Sequence, residues 1–140
     1  MNDAALNYNE KQLSDLVERE QEPIYEISSI FPFTILPTVV KIFRNKIIIV
    51  RSYIPITKYE FPILVEDLKT VTVTTSIMFA SLLFEIKGFE PNPALVTYLR
   101  VHEALEARRI ILGLILLKRK KISTHDVPTE QLVEDVKRLG

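Results

Sequence analysis

The chain has 140 residues and is 47% hydrophobic, enough to bury the core of one domain and too short for two ordinary domains. Its 18 Lys and Arg residues balance 18 Asp and Glu residues, so no overall charge would attract nucleic acid or an anionic membrane from a distance. There is no cysteine and there are two histidines, which excludes disulfides and thiolate metal sites and leaves too few ligands for a histidine-rich metal site. These limits favour a cytoplasmic protein without a bound cofactor.

Residues 1–29 are predicted to form an acidic, partly helical N-terminal extension. The first 30 residues contain seven acids and only two bases. Leu13, Leu16 and Val17 are spaced as one side of a short helix, from about Glu10 to Glu20. Disorder of its first half is the alternative, because so short a helix is marginal without tertiary contacts. With no apolar segment, this stretch is not expected to act as a secretory signal.

From Phe31 onward, β-branched and aromatic residues interrupted by prolines predict short strands. The expected strands are Thr38–Phe43, Lys46–Ile54, Ile56–Phe61, Lys69–Thr75, Met78–Lys87 and Ala94–Val101. The first two form a hairpin across Arg44 and Asn45, a connection of two residues. The fifth strand has one apolar face, made of Met78, Ala80, Leu82, Phe84 and Ile86.

After Val101 the apolar spacing becomes helical and predicts a long closing helix, His102–Lys121. Its core face is predicted to contain Ala104, Ala107, Ile111, Leu114 and Ile115. A C-terminal extension, residues 122–140, is expected to hold a short helix, Thr129–Leu139, with Thr129 as its cap. Short antiparallel strands followed by one helix indicate a mainly β, α+β domain over residues 30–121, with a rolled sheet closed at one end.

This order of strands and helix resembles the bacterial pleckstrin-homology-like domains. Local phrases support the resemblance: the hairpin region Arg51–Lys58, the run Ile63–Leu68, the strand Val71–Val73, and Ala107–Ile111 with Gly113 in the closing helix. The resemblance covers Ile30–Lys121 and omits both ends. It implies a seven-stranded β-sandwich or barrel with a capping helix at its C-terminus, and a binding or scaffolding role without a specified ligand.

The closing helix has a second apolar stripe that a simple cap does not need. The stripe and the bases that flank it are the first candidate binding site: Leu105, Leu112 and Leu116, with Arg108, Arg109, Arg119 and Lys120. An apolar centre with a cationic rim suits an acidic amphipathic protein partner or a second copy of the chain. The alternatives are cover by the N-terminal or terminal helix of the same chain, and contact with a membrane.

A second, weaker candidate is the group of bases around the first hairpin. Its members are Lys41, Arg44, Lys46, Arg51 and Lys58. Eukaryotic pleckstrin-homology domains use bases near this hairpin for phosphoinositide head groups, through charge-assisted contacts with phosphate. Solvated strand faces and protection of a sheet edge explain the same bases equally well.

The sequence does not predict an enzyme. The three glycines form no phosphate-binding loop, and His102 and His125 have no fixed neighbour that would make either of them a general base. The longest apolar run, Ile110–Leu117 counting Gly113, is far shorter than the roughly 20 residues of a spanning helix. We therefore expect a non-catalytic module that binds a protein or itself, with peripheral binding to an anionic membrane as the first alternative. Binding of single-stranded nucleic acid is the second alternative, through Phe79, Phe84, Phe89 and Tyr98.

Overall fold

The computed structural model describes residues 3–53, 56–88, 94–122, 124 and 127–140. In chain order these residues form α1 (Asp3–Gln21), β1 (Tyr25–Ser28), β2 (Thr38–Ile42), β3 (Lys46–Tyr53), β4 (Thr57–Leu64), a single 3-10 turn (Val65–Asp67), β5 (Leu68–Thr75), β6 (Ala80–Ile86), β7 (Ala94–Leu99), α2 (Val101–Arg119) and α3 (Thr129–Leu139). The predicted fold class is confirmed: two antiparallel sheets, one long closing helix and helices at both ends.

The first sheet is an antiparallel meander in the order β1-β2-β3-β4. The predicted hairpin across Arg44 and Asn45 is confirmed, and the amide of Phe43 donates a hydrogen bond of 2.8 Å to the carbonyl of Lys46. Alternate residues of β3 point into the core, where Ile47 and Ile49 are buried.

Strand β1 belongs to this sheet and was not predicted from the sequence. It has only four residues, and Tyr25 lies opposite Ile42 of β2. The strand falls inside residues 1–29, the stretch predicted as the N-terminal extension. Ile27 is buried in the core, so β1 contributes to the packing of the domain.

The second sheet has the order β5-β6-β7. The predicted alternation of β6 is confirmed from Ala80 onward, because every second side chain is buried up to Ile86. Met78 does not belong to that face, and its predicted position was wrong: it is exposed in the turn before the strand. The amide of Ser76 closes this turn by donating to the carbonyl of Phe79 at 2.7 Å.

Helix α2 closes the core between the two sheets. The face predicted from helical spacing is buried throughout: Ala104, Ala107, Ile111, Leu114 and Ile115. Ile110 and Gly113 are buried as well, since α3 packs on this second side of α2. A Cβ atom at Gly113 would collide with the backbone of Val136, and one at Gly140 would collide with the backbone of Arg109. The two helices therefore run antiparallel in close contact.

Helix α3 spans the predicted residues, but its start differs from the prediction. Pro128 occupies the cap position and Thr129 is the first helical residue, so the prediction of Thr129 as the cap was wrong. The hydroxyl of Thr129 instead accepts a hydrogen bond from Nη2 of Arg44 at 3.1 Å. Leu132 and Val136 are the buried residues of the helix.

Candidate functional site

The three leucines of the predicted stripe on α2 have different surroundings. Leu105 is 42% exposed, whereas Leu112 is half-buried and packs against the core. Leu116, one turn further along, is also half-buried. The stripe is therefore most open at its N-terminal end, around Leu105.

All four bases predicted to flank the stripe are exposed, but they divide into two groups. Arg108 and Arg109 lie one turn from Leu105, while Arg119 and Lys120 lie at the C-terminal end of the helix, roughly 16 Å further along its axis. The guanidinium of Arg119 donates to the carbonyl of Lys69 at 3.2 Å. Only the first pair of bases adjoins the exposed leucine.

A shallow groove runs beside Leu105. It is lined by Val101, His102, Leu105, Glu106 and Arg109. Next to it, the Tyr25 hydroxyl donates to Oε2 of Glu106 at 2.9 Å, and Nζ of Lys137 donates to Oε1 at 3.3 Å. One carboxylate thus joins β1, α2 and α3.

The charge states of this triad are set by its hydrogen bonds. Burial and then the bond to Glu106 raise the pKa of Tyr25 above its ordinary value. The bond donated by Tyr25, assisted by Lys137, lowers the pKa of Glu106. A neutral phenol beside an ionised carboxylate holds its proton near neutral pH, so the triad fits a structural role better than general acid-base catalysis.

Helix α1 is longer than its predicted range, Glu10 to Glu20. All of its described side chains are exposed: residues 7, 9–15, 17, 18 and 21. They include Leu13, which is 61% exposed, and Val17, which is 50% exposed. The helix carries five acids and two bases. The internal cover of α2 comes from α3, whereas Leu13 and Val17 of α1 remain open.

Arg44, from the second predicted group of bases, is buried. Its Nη1 donates to the carbonyls of Thr124 and Val127, the latter at 2.8 Å, and its Nη2 donates to Thr129. The side chain is 4% exposed. Arg44 therefore fastens the segment before α3 to the first hairpin and presents no charge to solvent.

The other four bases of that group do not converge on one site. Arg51 lies opposite Tyr59 and donates to the carbonyl of Leu95 at 3.0 Å, bridging the two sheets. Lys58 is on the adjacent pair, opposite Ser52, and therefore on the other face. Lys46 lies over the ring of Phe43 at 5.3 Å, and Lys41 is on the neighbouring strand, half-buried.

One end of the two sheets carries a feature that sequence reasoning missed. Among the described residues, six large apolar side chains in the turns at this end are each at least 53% exposed, and we call them the loop end: Phe31, Phe33, Ile35, Ile56, Ile77 and Met78. The first three are in the connection between β1 and β2, Ile56 directly precedes β4, and the last two are in the turn between β5 and β6.

Contacts between the turns hold the loop end together. The amide of Ile30 donates to the carbonyl of Tyr98 at 2.9 Å. The rings of Phe33 and Phe79 are 4.6 Å apart, and those of Phe79 and Tyr98 are 5.7 Å apart. Tyr98 has φ of 58°, a left-handed conformation that is strained for an aromatic residue. Ring packing thus joins the two sheets at this end.

The register places Ile56 at the same end. Thr38, the first residue of β2, lies opposite Arg51, and β3 continues only to Tyr53 before the chain returns at Thr57. Ile56 is therefore next to the connection between β1 and β2.

The chain segments that contain the loop end have no charged residues. Residues 27–40, 52–57 and 70–84 contain no Asp, Glu, Lys or Arg. These segments are centred on the three turns, where soluble proteins ordinarily place polar residues. The long uncharged stretches were a visible signal, but only the topology shows that they meet at one end.

The remaining aromatic and histidine candidates lie in the core or outside the described residues. Phe84 is buried in the core, and Phe89 and His125 lie outside the described residues. Among the residues that the structure describes, no group of three acidic, histidine or cysteine side chains could hold a metal ion. Within the same ranges, no helix has the length and apolar character needed to cross a membrane.

Comparisons of the chain with protein-family models, with curated proteins and with solved structures find no match.

Proposed function

We propose that the chain is a non-catalytic interaction module with a pleckstrin-homology-like fold, which self-associates by placing α1 of one copy against α2 of another. The observation that carries the proposal is the exposure of Leu13 and Val17 on a helix of 19 residues. Most of the stability of a helix in a protein comes from packing of its apolar side, so α1 gains stability from a surface that covers Leu13 and Val17. The sheets of four and three strands followed by α2 support the pleckstrin-homology-like assignment.

Charge complementarity supports α2 as the surface that α1 covers. The five acids and two bases of α1 give it a negative charge, while exposed Arg108 and Arg109 flank Leu105 on α2. An apolar contact at Leu105 with ion pairs at its rim is the usual arrangement of a protein interface. Both helices have 19 residues, about 28 Å, so they match in length.

The short connection after α1 favours a second copy over the same chain. Ile24 is buried in the core and β1 begins at Tyr25, so only Glu22 and Pro23 separate α1 from a fixed point. The proline removes a backbone donor and restricts the turn that α1 would need to fold back onto its own α2. In the structure the described α1 side chains face solvent, as expected of a helix that awaits a partner.

Light scattering during size-exclusion chromatography tests this proposal. We expect the mass to rise from monomer to dimer with protein concentration, and to fall back as salt screens the ion pairs. Leu13→Glu should raise the dissociation constant at least roughly tenfold, because it removes the free energy gained by burying one leucine side chain. Ser14→Glu is the matched control, because it adds the same charge to the same helix about a quarter of a turn away.

A monomeric mass at every concentration would overturn the self-association. So would a dimer that Leu13→Glu does not weaken.

Peripheral binding to a membrane is the second candidate function, and the loop end favours it. Single-strand nucleic-acid binding has less support, because Phe84 is buried and the rings of Phe79 and Tyr98 pack on each other.

A further inference from the structure

We propose that the loop end is a membrane-docking surface, whose uncharged turns bring Phe31, Phe33, Ile35, Ile56, Ile77 and Met78 together for insertion into the interfacial region of a lipid bilayer. This inference concerns a different surface from the helices that the proposed self-association uses. It goes beyond that function, and either can fail without the other.

The first argument is the exposure of the apolar side chains. Ile77 is fully exposed, and Ile35 and Phe31 are at least 75% exposed. Single exposed apolar residues are ordinary, but six at one end of a fold mark a contact surface. They lie at the tips of turns from both sheets, a placement that suits penetration of a layer without fixed shape. Phenylalanine and isoleucine are also favourable in the bilayer interface and its hydrocarbon border.

The second argument is the absence of charge over the three segments. A charged side chain is costly to place in the hydrocarbon region, so one lysine or aspartate at a turn would oppose penetration. Residues 27–40, 52–57 and 70–84 contain none. A protein-binding loop has no corresponding need to exclude charge over so many positions, since protein interfaces keep charged and polar rims.

The third argument concerns the backbone, whose polar groups are costly in lipid unless they are bonded. The hydroxyl of Ser29 accepts from the amide of Thr38 at 2.8 Å and from the hydroxyl of Thr34 at 3.0 Å. Pro32 and Pro37 have no N–H to satisfy. The turn of Ser76 is closed by its own hydrogen bond. The loop between β1 and β2 therefore satisfies part of its own polar groups.

Behind the apolar tips, the nearest charges on two of the strands are positive. Arg51 and Lys58 are the first charged residues on either side of the turn between β3 and β4. Arg100 follows Tyr98 by two residues and pairs with Glu103 at 3.2 Å. Bases at this depth would meet anionic head groups when the tips are inserted. Anionic lipid should thus strengthen binding that the apolar contact initiates.

The experiment is co-sedimentation of the full chain with two kinds of vesicle, one of phosphatidylcholine and one of an equimolar mixture of phosphatidylcholine and phosphatidylserine. We expect binding to both and tighter binding to the mixture, with part of the binding retained at high salt. Ile35→Ser and Ile77→Ser should each lower the partition coefficient roughly tenfold, since each removes one large apolar side chain. Ile122→Ser is the matched control, because Ile122 is equally apolar and half exposed near the opposite end, and it should change nothing.

A spectroscopic arm follows from the absence of tryptophan in the chain. Ile77→Trp should show a blue shift of its emission with vesicles and quenching by brominated lipid, whereas Ile122→Trp should show neither. If the protein co-sediments with neither vesicle, the proposal is overturned, and the loop end would then be a protein-binding surface. Binding that Ile35→Ser and Ile77→Ser leave unchanged would also overturn it, since the bases of α2 would then be responsible. Leu13→Glu should leave vesicle binding intact, which separates this test from that of the self-association.

Discussion

Replacement of Arg44 by methionine should detach α3 from the domain. Methionine keeps the apolar stem of the side chain and removes the guanidinium, with its hydrogen bonds to Thr124, Val127 and Thr129. These bonds join the first hairpin to residues 80 to 85 positions further along the chain. Their loss should therefore weaken the attachment of the C-terminal segment more than the sheets themselves.

The magnitude follows from the bonds and their surroundings. A hydrogen bond from a charged donor contributes about 1.5 to 3 kcal/mol. The accepting residues are half-buried, so water replaces part of the loss, and removal of a buried charge offsets another part. We expect a net loss of about 2 to 4 kcal/mol in the free energy of unfolding. For a chain of this size that lowers Tm by roughly 10 °C.

Urea unfolding followed by circular dichroism measures the loss, and amide hydrogen exchange locates it. Exchange should accelerate first at Leu132 and Val136, the buried residues of α3. Thr129→Val removes one acceptor and should cost about 1 kcal/mol, with less than additive loss when combined with Arg44→Met. Arg108→Met, at an exposed position, should stay within about 0.5 kcal/mol. A comparably small effect of Arg44→Met, or uniform acceleration of exchange across the sheets, would refute the reasoning.

The remaining predictions concern the packing of α2 on α3 and the triad of Tyr25, Glu106 and Lys137. Gly113→Ala should lower the free energy of unfolding, measured in urea, by about 2 kcal/mol or more, because the new methyl group meets the backbone of Val136. This loss is expected although alanine is the better helix former. A more stable variant would contradict the close approach of α2 and α3. The triad of Tyr25, Glu106 and Lys137 makes stability depend on pH at both extremes. Since the pKa of Tyr25 is raised in the folded state, its contribution is complete below the ordinary value of 10.0 and is lost as pH rises beyond it. Tyr25→Phe should therefore lose less stability above that pH than the wild type; parallel curves would count against the hydrogen bond. The pKa of Glu106 is lowered, so its contribution is complete above the ordinary carboxyl range and is lost as pH falls through the folded value, and Glu106→Gln should flatten the acid limb of the same measurement.

Local periodicity accounts for the parts of the fold that were predicted. The alternation around Val71 and Phe84 places β5 and β6, and the helical spacing from Ala104 places the core side of α2. Periodicity does not mark where a strand begins, which is why Met78 was assigned to a strand and lies in a turn. Strand β1 is too short for a pattern, and pairing with β2 decides its conformation.

The candidate surfaces depend on contacts between distant residues, which one sequence does not reveal. From its place in a hairpin turn, Arg44 would be expected to be solvated. It is buried because the segment before α3 packs over it. The uncharged residues 27–40 and 70–84 can be read directly, but their meeting at one end depends on how the two sheets pack. Leu112 belongs to the predicted stripe, yet its half-burial is set by tertiary packing.

Helix α2 covers the core on one side and packs against α3 on another. These two contacts determine the smallest fragment that should fold independently. A chain shortened to residues 30–121, the range that the resemblance covers, would lose Ile27 from the sheet and uncover Ile110 and Gly113. It would also lose hydrogen-bond acceptors of the buried guanidinium of Arg44, the carbonyl of Val127 and the hydroxyl of Thr129. A fragment intended for expression should therefore begin before Ile24 and continue to Gly140, whereas the described side chains of α1 are all exposed and take no part in the core.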